Sequence, residues 1–252
     1  MIKLAAVVFA GGFLSVFAVA QTVVVSAGFD YTNGDYGGGS DTELLVIPVT
    51  GTYEVDRWTF KATIPYVRVS GPADVVPDIG LVGRPGVRPG GETESGLGDI
   101  VLGATYAALT DPSEPMLDLT AKVKLGTADE DKGLGTGETD LMFQADVHQT
   151  YGNWTPFGTL GYRFLGDPGG VDLKDGFYLA GGASYRLDEP TSVGALLDWR
   201  ERVISGGDDM VELVAFIARK LDEQWKAQGY VLAGFTDASP DYGLGGSISY
   251  QF

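Results

Sequence analysis

The chain has 252 residues, the length of one large or two small domains, and carries 34 acidic against 17 basic residues for a formal charge of −17. Such an acidic excess excludes nucleic-acid binding by phosphate neutralisation, which needs a surplus of lysine and arginine. With no cysteine and one histidine, disulfide frames, thiolate nucleophiles, cysteine-based metal sites and the common multi-histidine centres are excluded as well.

Met1-Ile2-Lys3 opens the chain with a positive charge, Leu4 to Phe17 is almost wholly apolar, and Ala18-Val19-Ala20 has small residues at the spacing a signal peptidase needs. This pattern predicts a cleaved secretory signal peptide over 1–20. The apolar run is short for a membrane-spanning helix, and no later run approaches that length. The remainder, 21–252, is expected to be one exported domain.

From there the chain alternates. Trp58, Phe60, Ala62, Ile64 and Tyr66 interleave with Thr59, Lys61 and Thr63; Leu117, Leu119, Ala121, Val123 and Leu125 interleave with Asp118, Thr120, Lys122 and Lys124. Period two marks a strand with one apolar and one polar face. Twelve such runs are predicted, near 22–31, 42–53, 58–70, 98–109, 116–126, 139–150, 155–165, 176–186, 191–202, 210–220, 225–235 and 241–252. Several reach the ~9–11 residues that cross a bilayer. The tenth reads as helix by propensity. It is kept as a strand because barrel parity and the short turn before Trp225 require one.

The gaps between runs alternate in length. Those at 32–41, 71–97, 127–138, 166–175, 203–209 and 236–240 are mostly long; those at 54–57, 110–115, 151–154, 187–190 and 221–224 are tight. An even number of strands joined by alternating long loops and short turns is the layout of an all-β, antiparallel outer-membrane barrel of about 12 strands. A secreted β-sandwich also alternates. Against it stand aromatics at strand ends (Trp58, Tyr66, Trp154, Phe164, Tyr185, Trp199, Trp225, Tyr250) and full charges mid-strand on the polar parity. The last strand ends on Phe252, which resembles the assembly signal of outer-membrane barrels. The partners expected are therefore outer-membrane lipids and the barrel-assembly machinery, in a Gram-negative bacterium.

Tyr66-Val67-Arg68-Val69-Ser70-Gly71-Pro72, Ser95-Gly96-Leu97-Gly98-Asp99-Ile100, Thr105-Tyr106, and above all Lys124-Leu125-Gly126-Thr127-Ala128-Asp129-Glu130-Asp131-Lys132-Gly133-Leu134-Gly135-Thr136-Gly137-Glu138-Thr139-Asp140, with a weaker match at Tyr162 to Asp167, carry a family likeness. The chain resembles the outer-membrane transporter family described as "MetA-pathway of phenol degradation". That resemblance implies a β-barrel moving small, often aromatic, compounds across the outer membrane.

Candidate chemistry is sparse. Gly133-Leu134-Gly135-Thr136-Gly137 lacks the third glycine and the βαβ setting of a dinucleotide loop. Asp129, Asp131 and Asp140 fit three positions of a calcium loop, but Gly133 and Leu134 stand where an acidic residue and a glycine belong. His148 is the only base for a lipase-like triad, and no serine lies in a G-x-S-x-G elbow. No enzyme, metal or cofactor is expected.

The lumen-lining residues predicted by parity are Lys61, Asp118, Lys122, Lys124, Asp140, Asp146, His148, Arg163, Arg186, Asp198, Arg200, Arg202 and Glu212. Charges inside a barrel persist only when hydrated or paired, so a filled interior and a conduction path both fit. The long gaps hold sixteen acidic and four basic residues, which predicts a strongly negative outer mouth. The 71–97 gap is expected to fold back and narrow that mouth, covering Val75, Val76, Ile79, Leu81 and Val82, with Arg84 and Arg88 reaching carboxylates on the opposite wall. The expected function is passive passage of small, aromatic or hydrophobic solutes. The alternatives are a closed structural or adhesion barrel and, behind it, a membrane hydrolase using His148.

Overall fold

A computed structural model describes residues 21–252 except 38, 78, 85, 86 and 88–90. The predicted signal peptide lies outside the described residues.

Fifteen strands follow in chain order: β1 (Thr22–Gly34), β2 (Thr42–Val55), β3 (Trp58–Ser70), β4 (Val75–Val76), β5 (Gly80–Leu81), β6 (Thr93–Leu97), β7 (Ile100–Leu109), β8 (Met116–Leu125), β9 (Asp140–His148), β10 (Trp154–Phe164), β11 (Gly176–Arg186), β12 (Thr191–Arg200), β13 (Met210–Lys220), β14 (Trp225–Gly234) and β15 (Tyr242–Gln251). Each long strand pairs antiparallel with its sequence neighbours, and β1 pairs with β15 from Val24↔Gln251 to Asn33↔Tyr242, closing the barrel. β4 and β5 form a small separate hairpin. β6 and β7 share one position in the wall: β7 pairs with the lower half of β3 and β6 with its upper half. The closed sheet therefore has twelve strand positions, and closure leaves no exposed edge in the membrane.

The alternation forms these strands because the outward side chain meets lipid. Leu160 is 51% exposed, Phe143 51%, Leu179 45% and Leu119 46%, a density of bare apolar surface that only a membrane covers. Ring pairs gather at both rims. Trp58–Tyr106, Trp154–Tyr185 and Trp225–Tyr250 stand 4.8–4.9 Å apart at the short-turn end, and Tyr162–Phe177 stand 4.7 Å apart at the long-loop end. These are the two interfacial girdles. The short turns are tied by their own acids: Asp111 accepts from the Ser113 amide at 2.9 Å, and Asp222 from the Gln224 and Trp225 amides at 2.8 Å each.

Strand β13 is apolar on both faces. Its inward Val214 and Phe216 are buried and its outward Leu213 and Ile217 face lipid, so the helix-like composition is a strand whose inner wall is also apolar. The predicted run 191–202 stops at Arg200, and Arg202 lies exposed in the following loop. Its amide donates to Asp209 at 3.1 Å, a loop-internal bond that turns the chain out of the sheet.

The two faces should respond unequally to charge. Leu160→Arg puts an uncompensated cation against lipid near mid-height of β10, and is expected to cost about 2–4 kcal/mol of barrel stability. Ser247→Arg, whose side chain faces inward on β15 beside Gln228, should cost far less. Urea titrations of refolded protein in vesicles measure both, and equal costs would overturn the lipid assignment.

Candidate functional site

The chain after β3 turns at Gly71, whose φ of 123° suits glycine, and where a Cβ would strike Asp41 and Thr42. The Ala73 amide then donates to Thr42 at 3.0 Å, and the β4–β5 hairpin is thrown across the barrel mouth. Its apolar side chains split between two sites. Val75 packs with Leu44, Val46, Val67 and Val69 of the inner wall and with Tyr36 and Leu134. Val76, Ile79 and Val82 pack with Leu165, Leu173 and Val203 from two other long loops. Burial of this cluster is the driving force that seats the segment. The side chain of Leu81, and Arg88 altogether, lie outside the described residues.

Arg84 does not reach the opposite wall. Its Nε and Nη2 donate to Asp74 at 2.9 and 2.8 Å, and Nη1 donates to the Gly135 and Glu130 carbonyls at 2.7 and 3.3 Å. The hairpin brings residues 74 and 84 side by side, and closing so short a loop costs less entropy than bridging the mouth. Both side chains are buried.

The glycine-rich 126–139 loop is latched from below. Lys124 Nζ donates to Asp99 at 2.9 Å and to Thr136 at 2.8 Å, and lies 3.0 Å from Asp140. The other oxygen of Asp99 accepts from the Thr127 and Ala128 amides at 2.9 Å each. Asp140 also accepts from the Gly166 amide at 3.0 Å. Lys124 and Asp140 thus sit in a buried ion cluster that anchors loops. Glycine is needed at 126 and 135 because a Cβ would overlap Gly137 and Asp99. Among the described residues, no group of three or more metal-ligating side chains exists.

Below the cover the lumen has two unlike walls. On β8–β11 a polar ladder runs inward: Lys122 and the Tyr178 hydroxyl donate to Gln144 Oε1 at 2.8 and 3.0 Å, while Gln144 Nε2 and Thr159 donate to Asp146 at 2.6 Å each. Asp118 lies opposite Asp146, and His148 lies between Met116 and Phe157. Lys61 faces inward opposite Gly103. Arg163 is buried and donates to the Glu201 carbonyl at 3.0 Å, and Arg186 is exposed at the short-turn rim.

On the other wall, β1, β2 and β12–β14 line a cavity of about 100 Å³ roofed by Val75, Val76 and Pro77. Leu44, Val46, Leu196, Val214 and Leu232 supply its apolar sides. Arg200 stands between two acids, with Nε donating to Asp198 at 2.7 Å and Nη2 donating to Glu212. The Tyr230 hydroxyl donates to Asp30 at 2.5 Å, reaching across β15 over Gly245, where a Cβ would collide with its ring. Gly194 under Phe216 and Gly161 under Tyr178 repeat the device. Glycine on the neighbouring strand lets each inward aromatic lie flat, which keeps the space open. Tyr36 in the first outer loop is pushed up to about 12 by burial and therefore stays neutral.

Asp198, Arg200 and Glu212, predicted separately, meet in one triad. Asp30, Tyr36 and Tyr230 are not singled out by the sequence; Asp74 is one of the sixteen loop acids and Asp99 shares the inward parity and lies in a family motif, without their partners being marked. The inward parity of β1 and β14 is the signal that could have found Asp30 and Tyr230; nothing local marks Tyr36.

A family model described as "Putative MetA-pathway of phenol degradation" matches residues 28–252. No curated protein matches the sequence. Among solved structures, the COG4313 outer membrane channel from Pseudomonas putida F1 aligns over 96% of this chain and 98% of its own, at 16% identity and a TM-score of 0.70. The β domain of the Bordetella autotransporter BrkA aligns over 92% of this chain and 100% of its own, at 14% identity and a TM-score of 0.56. The KdgM porin aligns over 90% of this chain and 99% of its own, at 11% identity and a TM-score of 0.53. At these identities the likeness is one of fold.

Proposed function

The chain belongs to the family described as "Putative MetA-pathway of phenol degradation", and from that membership we propose that it passes small, largely apolar or aromatic solutes through an outer-membrane barrel. It is a closed twelve-strand barrel of the Gram-negative outer membrane. The observation that carries the solute reading is the cavity under the mouth cover. Eight-stranded barrels fill their interior with side chains; this one keeps a cavity of about 100 Å³ against largely apolar walls with a few convergent polar groups, the make-up of a small-molecule site.

Two alternatives remain testable. A closed structural or adhesion barrel would give no solute flux. A hydrolase would need His148 to address a nucleophile, and its cross-strand neighbours are Met116 and Phe157. The solved structures named above are a channel, an autotransporter domain and a porin, and the reading here is likewise non-catalytic. Outer-membrane lipids are the partners we assign to the outward apolar face.

Single-channel recording of refolded protein in planar bilayers, with vesicle-swelling assays for uncharged aromatic solutes, tests the proposal. Discrete conductance and solute-dependent swelling are expected; a silent bilayer with no swelling would overturn it. Cations should permeate better than anions, because the outer loops are acidic and a mouth of one sign concentrates counter-ions. Reversal potentials under a KCl gradient measure this. The preference should fade as the screening length falls from ~30 Å at 0.01 M to ~3 Å at 1 M salt. Anion preference at low salt would assign control to Lys61 and Lys122 in the lower lumen.

A further inference from the structure

We propose that the roofed cavity selects solutes by the polarity of their head group: it takes a small apolar body bearing a hydroxyl or ammonium donor and rejects the same body bearing a carboxylate. This rests on the solute-passage reading and adds to it the chemical class that the site prefers.

The inference follows from a count of donors and acceptors. Three carboxylates line the cavity, on Asp30, Asp198 and Glu212, against one cation, Arg200. Three of the five guanidinium N–H groups are directed at the protein: Nε to Asp198, Nη2 to Glu212, and Nη1 toward the Met210 sulfur at 3.6 Å. The Tyr230 hydroxyl proton is committed to Asp30. Tyr36 is within 3.4 Å of the Thr32 hydroxyl and is buried. The Tyr230 hydroxyl and three guanidinium N–H groups are thus spent inside the wall. Each carboxylate offers about four acceptor positions, so Asp30 and Glu212 keep acceptor capacity beyond their bonds to Tyr230 and Arg200.

A head group carrying O–H or N–H finds acceptors there. A carboxylate head finds a net negative wall and no cation without carboxylate partners. Its main donors would be N–H groups of a guanidinium already paired with two carboxylates, a poor exchange for its hydration, which is the expensive case for a buried charge. A site whose polar groups match one head rejects the mismatched analogue far more strongly than an apolar pocket distinguishes one methylene. The apolar sides, Val46, Leu196 and Val214 among them, accept the body in either case and do not discriminate.

The test uses the refolded protein in lipid nanodiscs, titrated calorimetrically with benzyl alcohol, benzylamine and benzoate, with empty nanodiscs as the blank. Benzyl alcohol and benzylamine are expected to bind at least tenfold more tightly than benzoate. Asp30→Asn keeps an acceptor for Tyr230 while removing a charge, and should narrow the benzylamine-to-benzoate ratio several-fold. Leu196→Trp, which fills the cavity, should abolish the preference; if the preference survives it, the acidic outer loops are its source and the cavity assignment fails. Heat-modified gel mobility shows that each variant is a folded barrel, and the wild-type ratio stands without any variant. Benzoate binding as tightly as the other two, or no binding of any probe, overturns the proposal. Vesicle swelling run in parallel separates the two failures: uniform flux of all three solutes sinks only the head-group selection, while absence of flux sinks the passage reading with it.

Discussion

Excision of residues 73–91 should raise single-channel conductance several-fold. The segment lies across the mouth by virtue of its apolar side chains, and it roofs the cavity through Val75, Val76 and Pro77. The cut must stop before Thr93, because β6 belongs to the barrel wall and pairs with Tyr66 to Ser70 of β3. The ends can be rejoined: a Cβ on Gly91 would stand 3.6 Å from Gly71 and Pro72. What remains exposed is the inner-wall patch of Val46, Val67 and Val69, at a cost of roughly 25 cal/mol per Å² uncovered. None of the pairings that close the barrel is removed, so the excised protein should still fold and insert. Bilayer recordings of excised and intact protein decide the matter. Equal conductance and equal solute swelling would mean that the hairpin covers nothing that matters to passage.

Arg84→Met should loosen the same cover without shortening it. The substitution removes both side-chain bonds to Asp74 and both bonds to the Gly135 and Glu130 carbonyls, and leaves the Asp74 carboxylate buried with the Arg84 amide as its remaining donor here. Breaking a buried pair from one side costs about 3–5 kcal/mol, because the surviving charge is stranded. The penalty falls on a small hairpin of two two-residue strands rather than on the barrel, so it should appear as local opening. Amide exchange over 74–84 should accelerate and the open-channel current should become noisy, while the barrel's melting changes little. Pairing it with Asp74→Leu removes the stranded charge and should restore part of the protection. If the single variant exchanges no faster than the parent, the ion pair is not what holds the cover down.

How far these features could be read without coordinates follows from the range of the interactions involved. The strands were readable because alternation is a property of adjacent residues: the pleat turns successive side chains to opposite faces whatever the rest of the chain does. Predicted runs such as 58–70, 176–186 and 210–220 coincide with β3, β11 and β13 to the residue. The alternation of long and short connections carried the closed topology in the same way. Parity also placed Asp198, Arg200 and Glu212 on the inner face, since nothing but strand register was needed.

What parity leaves open is who meets whom. Lys124 and Asp140 share the inward parity with Lys122, yet they are taken up in the loop-anchoring cluster with Asp99, and that outcome depended on where the 126–139 loop travels. Arg202 shares it too, but the sheet ends two residues earlier. Arg84 found Asp74 because a hairpin formed between them. The contact between Asp30 and Tyr230 joins residues 200 apart in sequence, and exists only because the first and last strands pair while Gly245 leaves the ring room to cross. Sequence alone dictated the barrel, its twelve strands and its two faces, because those rest on local periodicity in a membrane. The mouth cover, the buried ion clusters and the cavity were decided by tertiary structure, because each depends on loop paths and cross-barrel distances that no local pattern encodes.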